Sequence, residues 1–186
     1  KITRNATGAI TEIFTPKVNE ALRNLEVVTA SVNYAFDAGN IGSFLLRSSY
    51  TNTLEQELTL FPGDTPIDLL RSPGESSDPK TKLNASVTWS SPGDMWAATL
   101  YGNRIGSIPN YRAQIDGNYD AATAGRLGSY TTYNASLDFR PINALTLSLM
   151  VNNLLDDMPP EDHSFPGSSG APYDDSQYTV YGRSMY

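Results

Sequence analysis

The chain of 186 residues contains no cysteine and a single histidine, His163. The first absence excludes disulfide scaffolds, Cys-ligated zinc, iron–sulfur clusters and thiol nucleophiles. The second excludes a multi-histidine metal site within the chain. No apolar run approaches the ~18 residues that a transmembrane helix needs. Positive charge is also scarce: 13 Lys and Arg face 20 Asp and Glu, a formal net charge of −7. Binding to phosphate backbones rests on clustered Lys and Arg, so no nucleic-acid partner is expected. Charged residues make up 18%, below the ~25% of an average soluble domain. Helical periodicity is nearly missing, and only Val18–Asn24 has the pattern of a helical turn. No Ser/His/Asp arrangement, phosphate-binding glycine loop or paired-carboxylate signature stands out. The chain is therefore not expected to be an enzyme, and no cofactor or metal is implied.

What the sequence does contain is alternation. Period two, the mark of half-buried strands, predicts an all-β antiparallel meander of about eight strands. They fall at Ile10–Thr15, Leu25–Phe36, Ile41–Thr53, Lys80–Ser90, Met95–Ile105, Gly128–Arg140, Leu145–Leu155 and Tyr178–Tyr186. In the fourth, Leu83, Ala85, Val87 and Trp89 alternate strictly with Asn84, Ser86, Thr88 and Ser90. Tight turns are expected at Asp37–Asn40, Ser91–Asp94 and Pro141–Ala144, and long loops at about 54–79, 106–127 and 156–177. Short and long connections thus take turns along the chain. That asymmetry is the plan of an outer-membrane barrel, whereas a Greek-key sandwich has no reason to gather its long loops at one end.

Aromatic residues mark the strand ends beside the tight turns: Phe36, Trp89, Trp96 and Phe139. A ring of amphipathic aromatics at one level is the girdle expected at a membrane interface. Tyr50, Tyr101 and Tyr130 are candidates for a second girdle at the long-loop end. The opposite strand faces are Ser, Thr and Asn, with Arg47, Tyr101, Asp138 and Arg140 as candidate lumen-facing residues. The acidity is localised, with −5 in the loop Leu54–Pro79 and −6 in the loop Asp156–Gln177. Such rims could hold Ca²⁺, yet no D-x-D-x-D-G spacing supports it, and turn-forming Asp in solvated loops explains them more simply. His163, among carboxylates in PPEDHSFPG, is read as an incidental loop residue.

The segment VNNLLDDMPP, Val151–Pro160, resembles the N-L-(F/L)-D-x-x-P pattern of TonB-dependent outer-membrane receptors. The segment APYDDSQYTVYGRSMY, Ala171–Tyr186, is similar to the final strand of that family, and PKTKLNASVTW, Pro79–Trp89, resembles its P-x-x-K-x-N strand entry. On this resemblance Asn153, Leu154, Asp156, Pro159, Tyr173, Tyr178, Gly182 and Arg183 match family motifs, mainly with structural roles. The resemblance implies a 22-stranded transmembrane β-barrel of which residues 1–186 are the C-terminal portion, without the plug domain and TonB box. Counting back from Tyr186, only two of four alternate positions are hydrophobic, so the closing strand is expected to continue further. The implied partners are outer-membrane lipid, the remaining strands and plug, the TonB complex, and a small-molecule ligand. The implied function is energised import of a scarce ligand across the bacterial outer membrane. An iron–siderophore, another metal chelate, a vitamin and an oligosaccharide all fit. The alternatives are a soluble secreted β-sandwich that binds carbohydrate or mediates adhesion, and a self-closed eight-stranded barrel.

Overall fold

A computed structural model describes residues 2–13, 22–71, 79–116, 125–164, 178 and 182–186. In chain order the elements are β1 (Ile2–Arg4), β2 (Ile10–Ile13), β3 (Leu22–Asp37), β4 (Ser43–Thr59), β5 (Ile67–Asp68), β6 (Thr81–Ser90), β7 (Trp96–Ile105), β8 (Ile108–Pro109), a short helix α1 (Tyr111–Asp116), β9 (Arg126–Leu127), β10 (Tyr130–Ile142), β11 (Leu145–Asn152) and β12 (Ser184–Met185). The main sheet runs β12-β11-β10-β7-β6-β4-β3, with every neighbour antiparallel. Apart from the insertions at the long-loop end, this is the sequential meander that the alternation predicts. The sheet is open at β3 and β12 and does not close on itself, which counts against the self-closed eight-stranded barrel.

Three tight turns join the pairs at one end. In the first, Asp37 Oδ1 accepts the Gly39 N–H at 2.7 Å, and the Ala38 N–H donates to the Gly42 carbonyl at 2.8 Å. Gly42 has φ +104, and a Cβ there would run into the Ser90 carbonyl oxygen. The position therefore requires glycine on two counts, backbone and space. In the second turn the Ser91 hydroxyl accepts the Trp96 N–H at 2.9 Å, while Gly93 and Asp94 take positive φ. The third is tighter than expected. β10 continues through Pro141 and Ile142 by way of a register irregularity, leaving two residues between the strands.

The structure corrects the sequence reading at four places. Residues Ile10–Ile13 do not open the main sheet. They pair with β1 in a separate ribbon, folded around Asn5, whose Oδ1 accepts the N–H groups of Thr7 and Ala9. The helical turn at Val18–Asn24 is not formed where it is described: residues 22–24 belong to β3, and the rest lies outside the described residues. Strand β4 does not stop at Thr53 but runs to Thr59, past a bulge that leaves Leu54 without a partner opposite Glu26/Val27. A bulge inserts one residue and breaks the period of two, so alternation counted from the turn fails there. Finally, β11 ends at Asn152 because Asn153 turns left-handed at φ +48. Of the last predicted strand only Ser184–Met185 is assigned as strand, paired with β11, and residues 179–181 lie outside the described set.

Candidate functional site

Registers fix which residues share a face. On one face stand Val28, Val32, Leu46, Val87, Leu100, Leu137 and Leu149, linked across the strands by pairs such as Val87 with Leu100 and Leu137 with Leu149. This face is uncovered: Val32 is 59% exposed and Leu147 55%. A sandwich would lay a second sheet on it at about 10 Å, but among the described residues nothing does. An apolar face of this size is stable only against another apolar phase.

The four expected girdle residues all stand on this apolar face beside the tight turns. Phe36 pairs with Phe44, and Phe44 with Trp89. The Phe36 and Phe44 rings stack at 5.1 Å, and those of Trp96 and Phe139 at 4.2 Å. Contacts of this kind contribute about 0.5–1.5 kcal/mol each beyond burial. The Trp89 indole N–H also donates to the Ile41 carbonyl at 2.8 Å. Phe44 completes the row. Its place directly after the first turn was a signal of the same kind as that of Phe36.

A second girdle of Tyr50, Tyr101 and Tyr130 does not form. Tyr50 lies on the apolar face, but Tyr101 and Tyr130 point to the polar one. Tyr133 joins Tyr50 instead, and its ring lies over Gly102 of β7, 3.5 Å from where a Cβ would be. An aromatic cover of this sort makes up for the side chain that glycine lacks.

The polar face carries rows of hydroxyls and carboxamides. Arg47, Ser86, Tyr101 and Asn134 form one row across β4, β6, β7 and β10, and Ser49, Asn84, Asn103 and Thr132 the next. Thr88 and Thr99 share a hydrogen bond at 3.0 Å, as do Ser31 and Ser49 at 3.3 Å. Arg47, Tyr101, Asp138 and Arg140 thus stand on one face, but not as one cluster. Asp138 accepts the Ser148 hydroxyl at 2.6 Å and meets Arg140 at 4.0 Å near the short-turn end. Arg47 and Tyr101 sit further along.

At the long-loop end the motif residues gather around the end of β11. Asn153 is 6% exposed. Its N–H donates to Asn134 Oδ1 at 2.8 Å, and its carboxamide exchanges hydrogen bonds with the Asp157 backbone at 2.8 and 3.1 Å. Asp156, at φ +60, accepts the Arg183 N–H at 2.8 Å and faces the Arg183 guanidinium at 3.7 Å. A Cβ on Gly182 would stand 3.0 Å from the same carboxylate. Asn153, Asp156, Gly182 and Arg183 therefore form one joint, which starts the loop and receives the chain when it returns. Leu154 is exposed and Pro159 buried. Tyr173 lies outside the described residues.

Above this joint the two long loops meet. Tyr178 is 5% exposed and packs edge-on against Tyr130 at 5.7 Å, with Ile108 completing the cluster. Burial, aided by Asp162, pushes its phenol up to about 12. The Tyr178 hydroxyl has no hydrogen-bond partner among the described residues. Asp162 is buried as well. Its carboxylate accepts the Tyr111 N–H at 2.7 Å and both the N–H and the hydroxyl of Ser164, tying α1 to the other loop. Period and motif gave no warning of Asp162, because its partner on α1, Tyr111, is distant in sequence. His163 beside it is exposed. Among the described residues no three His, Asp or Glu side chains gather as a metal site.

An open antiparallel meander with one bare apolar face, one polar face and aromatics at the turn level is part of the wall of a transmembrane β-barrel. The family model described as TonB dependent receptor-like, beta-barrel, matches residues 17–154. The chain belongs to this family of outer-membrane receptors, whose members are transporters and not enzymes. No curated protein matches it.

Proposed function

We propose that residues 1–186 are the C-terminal wall of a receptor in the bacterial outer membrane that imports a scarce ligand with energy from the TonB complex. The observation that carries this reading is the two-faced sheet. Its bare apolar side suits lipid and its Ser/Thr/Asn side suits a water-filled lumen. Arg47, Tyr101, Asp138 and Arg140 would then line that lumen, and Phe36, Trp89, Trp96 and Phe139 would mark the interface beside the short turns. Asn153, Asp156, Gly182 and Arg183 serve structure, holding the last strand against β11. The plug, the remaining strands and the TonB complex are the partners this assignment requires, and iron–siderophore uptake is one of the import activities it allows. The test is fractionation of cells that express the intact receptor, combined with formaldehyde cross-linking to TonB. Recovery in the outer membrane with a TonB cross-link supports the proposal. Recovery in the soluble fraction, or an outer-membrane protein that never cross-links, refutes it.

A further inference from the structure

The apolar face, followed along every second residue from the aromatic girdle up to the row of Val28, Asn52 and Thr81, carries one charged side chain: Arg104 of β7. The other cations of these strands, such as Lys82 of β6, have the opposite parity and stand on the polar face. Arg104 lies well inside the sheet. Leu83 of β6 and Thr131 of β10 are directly opposite it, so its surroundings do not depend on the open edges at β3 and β12. It is exposed, and among the described residues its guanidinium makes no ion pair or hydrogen bond. Gly102 and Gly106 precede and follow it on the same face, where a Cβ at Gly106 would collide with Thr81. No side chain of β7 therefore stands beside it.

Height tells what Arg104 meets. It is the ninth residue of β7, eight beyond Trp96 of the girdle. At about 3.3 Å per residue and a tilt of about 40°, it stands about 20 Å above that girdle, near the far edge of the roughly 25 Å apolar band. An arginine stem lies along apolar surface and carries its head to the interface, here at the long-loop side, the outer leaflet of such barrels. The groups around the head donate hydrogen bonds: the Thr131 hydroxyl opposite it, and the Tyr133 ring over Gly102 with its phenol. A guanidinium in this position matches a phosphate bidentately. The acidic loops, by contrast, repel anionic lipid, so Arg104 is where this wall can hold one.

We propose that Arg104, with Thr131 and Tyr133, binds the phosphorylated headgroup of an outer-leaflet lipid from the outside of the barrel. The proposal rests on the outer-membrane placement and goes beyond import. The test uses the intact receptor with p-benzoylphenylalanine in place of Leu83, reconstituted in phosphatidylethanolamine vesicles that contain labelled lipid A in its diphosphorylated or its phosphate-free form. After illumination the diphosphorylated form cross-links with roughly tenfold higher yield. Arg104→Gln abolishes this excess, Arg104→Lys lowers it because the fork is lost, and Lys82→Gln, at the same height on the other face, leaves it intact. Heat-modifiable mobility on gels checks folding, and Arg104→Lys carries the test should Arg104→Gln not assemble. Equal yields from the two lipids, or an excess indifferent to folded Arg104 variants, overturns the proposal. So does loss of the excess on adding inorganic phosphate, which would mark a soluble-anion site. Fractionation of the expressing cells is scored alongside. If the receptor is in the outer membrane while the excess fails, only the lipid site is wrong, whereas recovery in the soluble fraction removes the outer-membrane reading itself.

Discussion

Replacing Leu100 by Arg puts a cation on the bare apolar face at its mid-height. β7 has ten residues, and Leu100 is the fifth. At about 3.3 Å per residue the strand is roughly 33 Å long, and a tilt of about 40° reduces its height to about 25 Å, the thickness of the apolar band of such barrels. Leu100 is therefore near the bilayer midplane, flanked by Val87 and Ala135 on the same face. Arginine at that depth costs about 2–4 kcal/mol. Thr99→Arg, one residue away, enters the polar face and should cost under about 1 kcal/mol, close to an ordinary exposed substitution. The assay is denaturant unfolding of the intact receptor in lipid vesicles, followed by tryptophan fluorescence. Equal costs at the two positions, or a greater one at Thr99, would refute the facing. Leu147→Arg gives a graded check. Leu147 pairs with Phe139 in the aromatic zone and is the third residue of β11, so it should cost less than Leu100→Arg.

Other substitutions test the joints. Gly42→Ala meets both the positive φ and the Ser90 carbonyl; it should destabilise by about 1–3 kcal/mol, read as a lower temperature for loss of the folded gel form. Asp156→Ala removes the acceptor for the Arg183 N–H and an ion pair that is about half exposed. Its cost should be about 1–2 kcal/mol, mostly from the hydrogen bond, with faster amide exchange at Arg183, and Asp156→Asn should be milder because Asn tolerates φ +60. Tyr178→Phe removes a buried hydroxyl that lacks a partner among the described residues; stability should be unchanged or rise by about 1 kcal/mol, and a fall of that size would reveal a partner for it. With the phenol raised from 10.0 to about 12, its contribution is fully present below pH 10 and is lost as pH climbs toward 12, since only the unfolded chain ionises in that window. Absorbance titration of phenolate should therefore show one late-titrating tyrosine that Tyr178→Phe deletes.

Local alternation carried most of the main sheet. Facing was legible wherever pairing was regular, as in Leu83 to Ser90 of β6. It failed at Leu54, where a bulge shifts the count, and at Ile10–Ile13, where a good strand pattern pairs with a local neighbour instead of the wall. Tyr101 and Tyr130 were misplaced as girdle residues because nearness to a loop says nothing about face, whereas parity along the strand does. The motif joint was legible as letters, but its geometry was not. The role of Asp156 depends on Arg183 and that of Asn153 on Asn134, both distant in sequence. The reach of Asp162 to α1 depends on Tyr111, which is just as remote.

The central claim is that one face of this sheet meets lipid and the other meets water. Residues 1–186 contain no cysteine, and single cysteines can be placed along β7 from Ala97 to Asn103 in an intact receptor cleared of any other cysteine, and spin-labelled in vesicles. Collision with dissolved oxygen should peak at positions 98, 100 and 102, and collision with a water-soluble nickel chelate at 97, 99, 101 and 103. Accessibility without that period of two, or nickel access on both faces, would contradict the account.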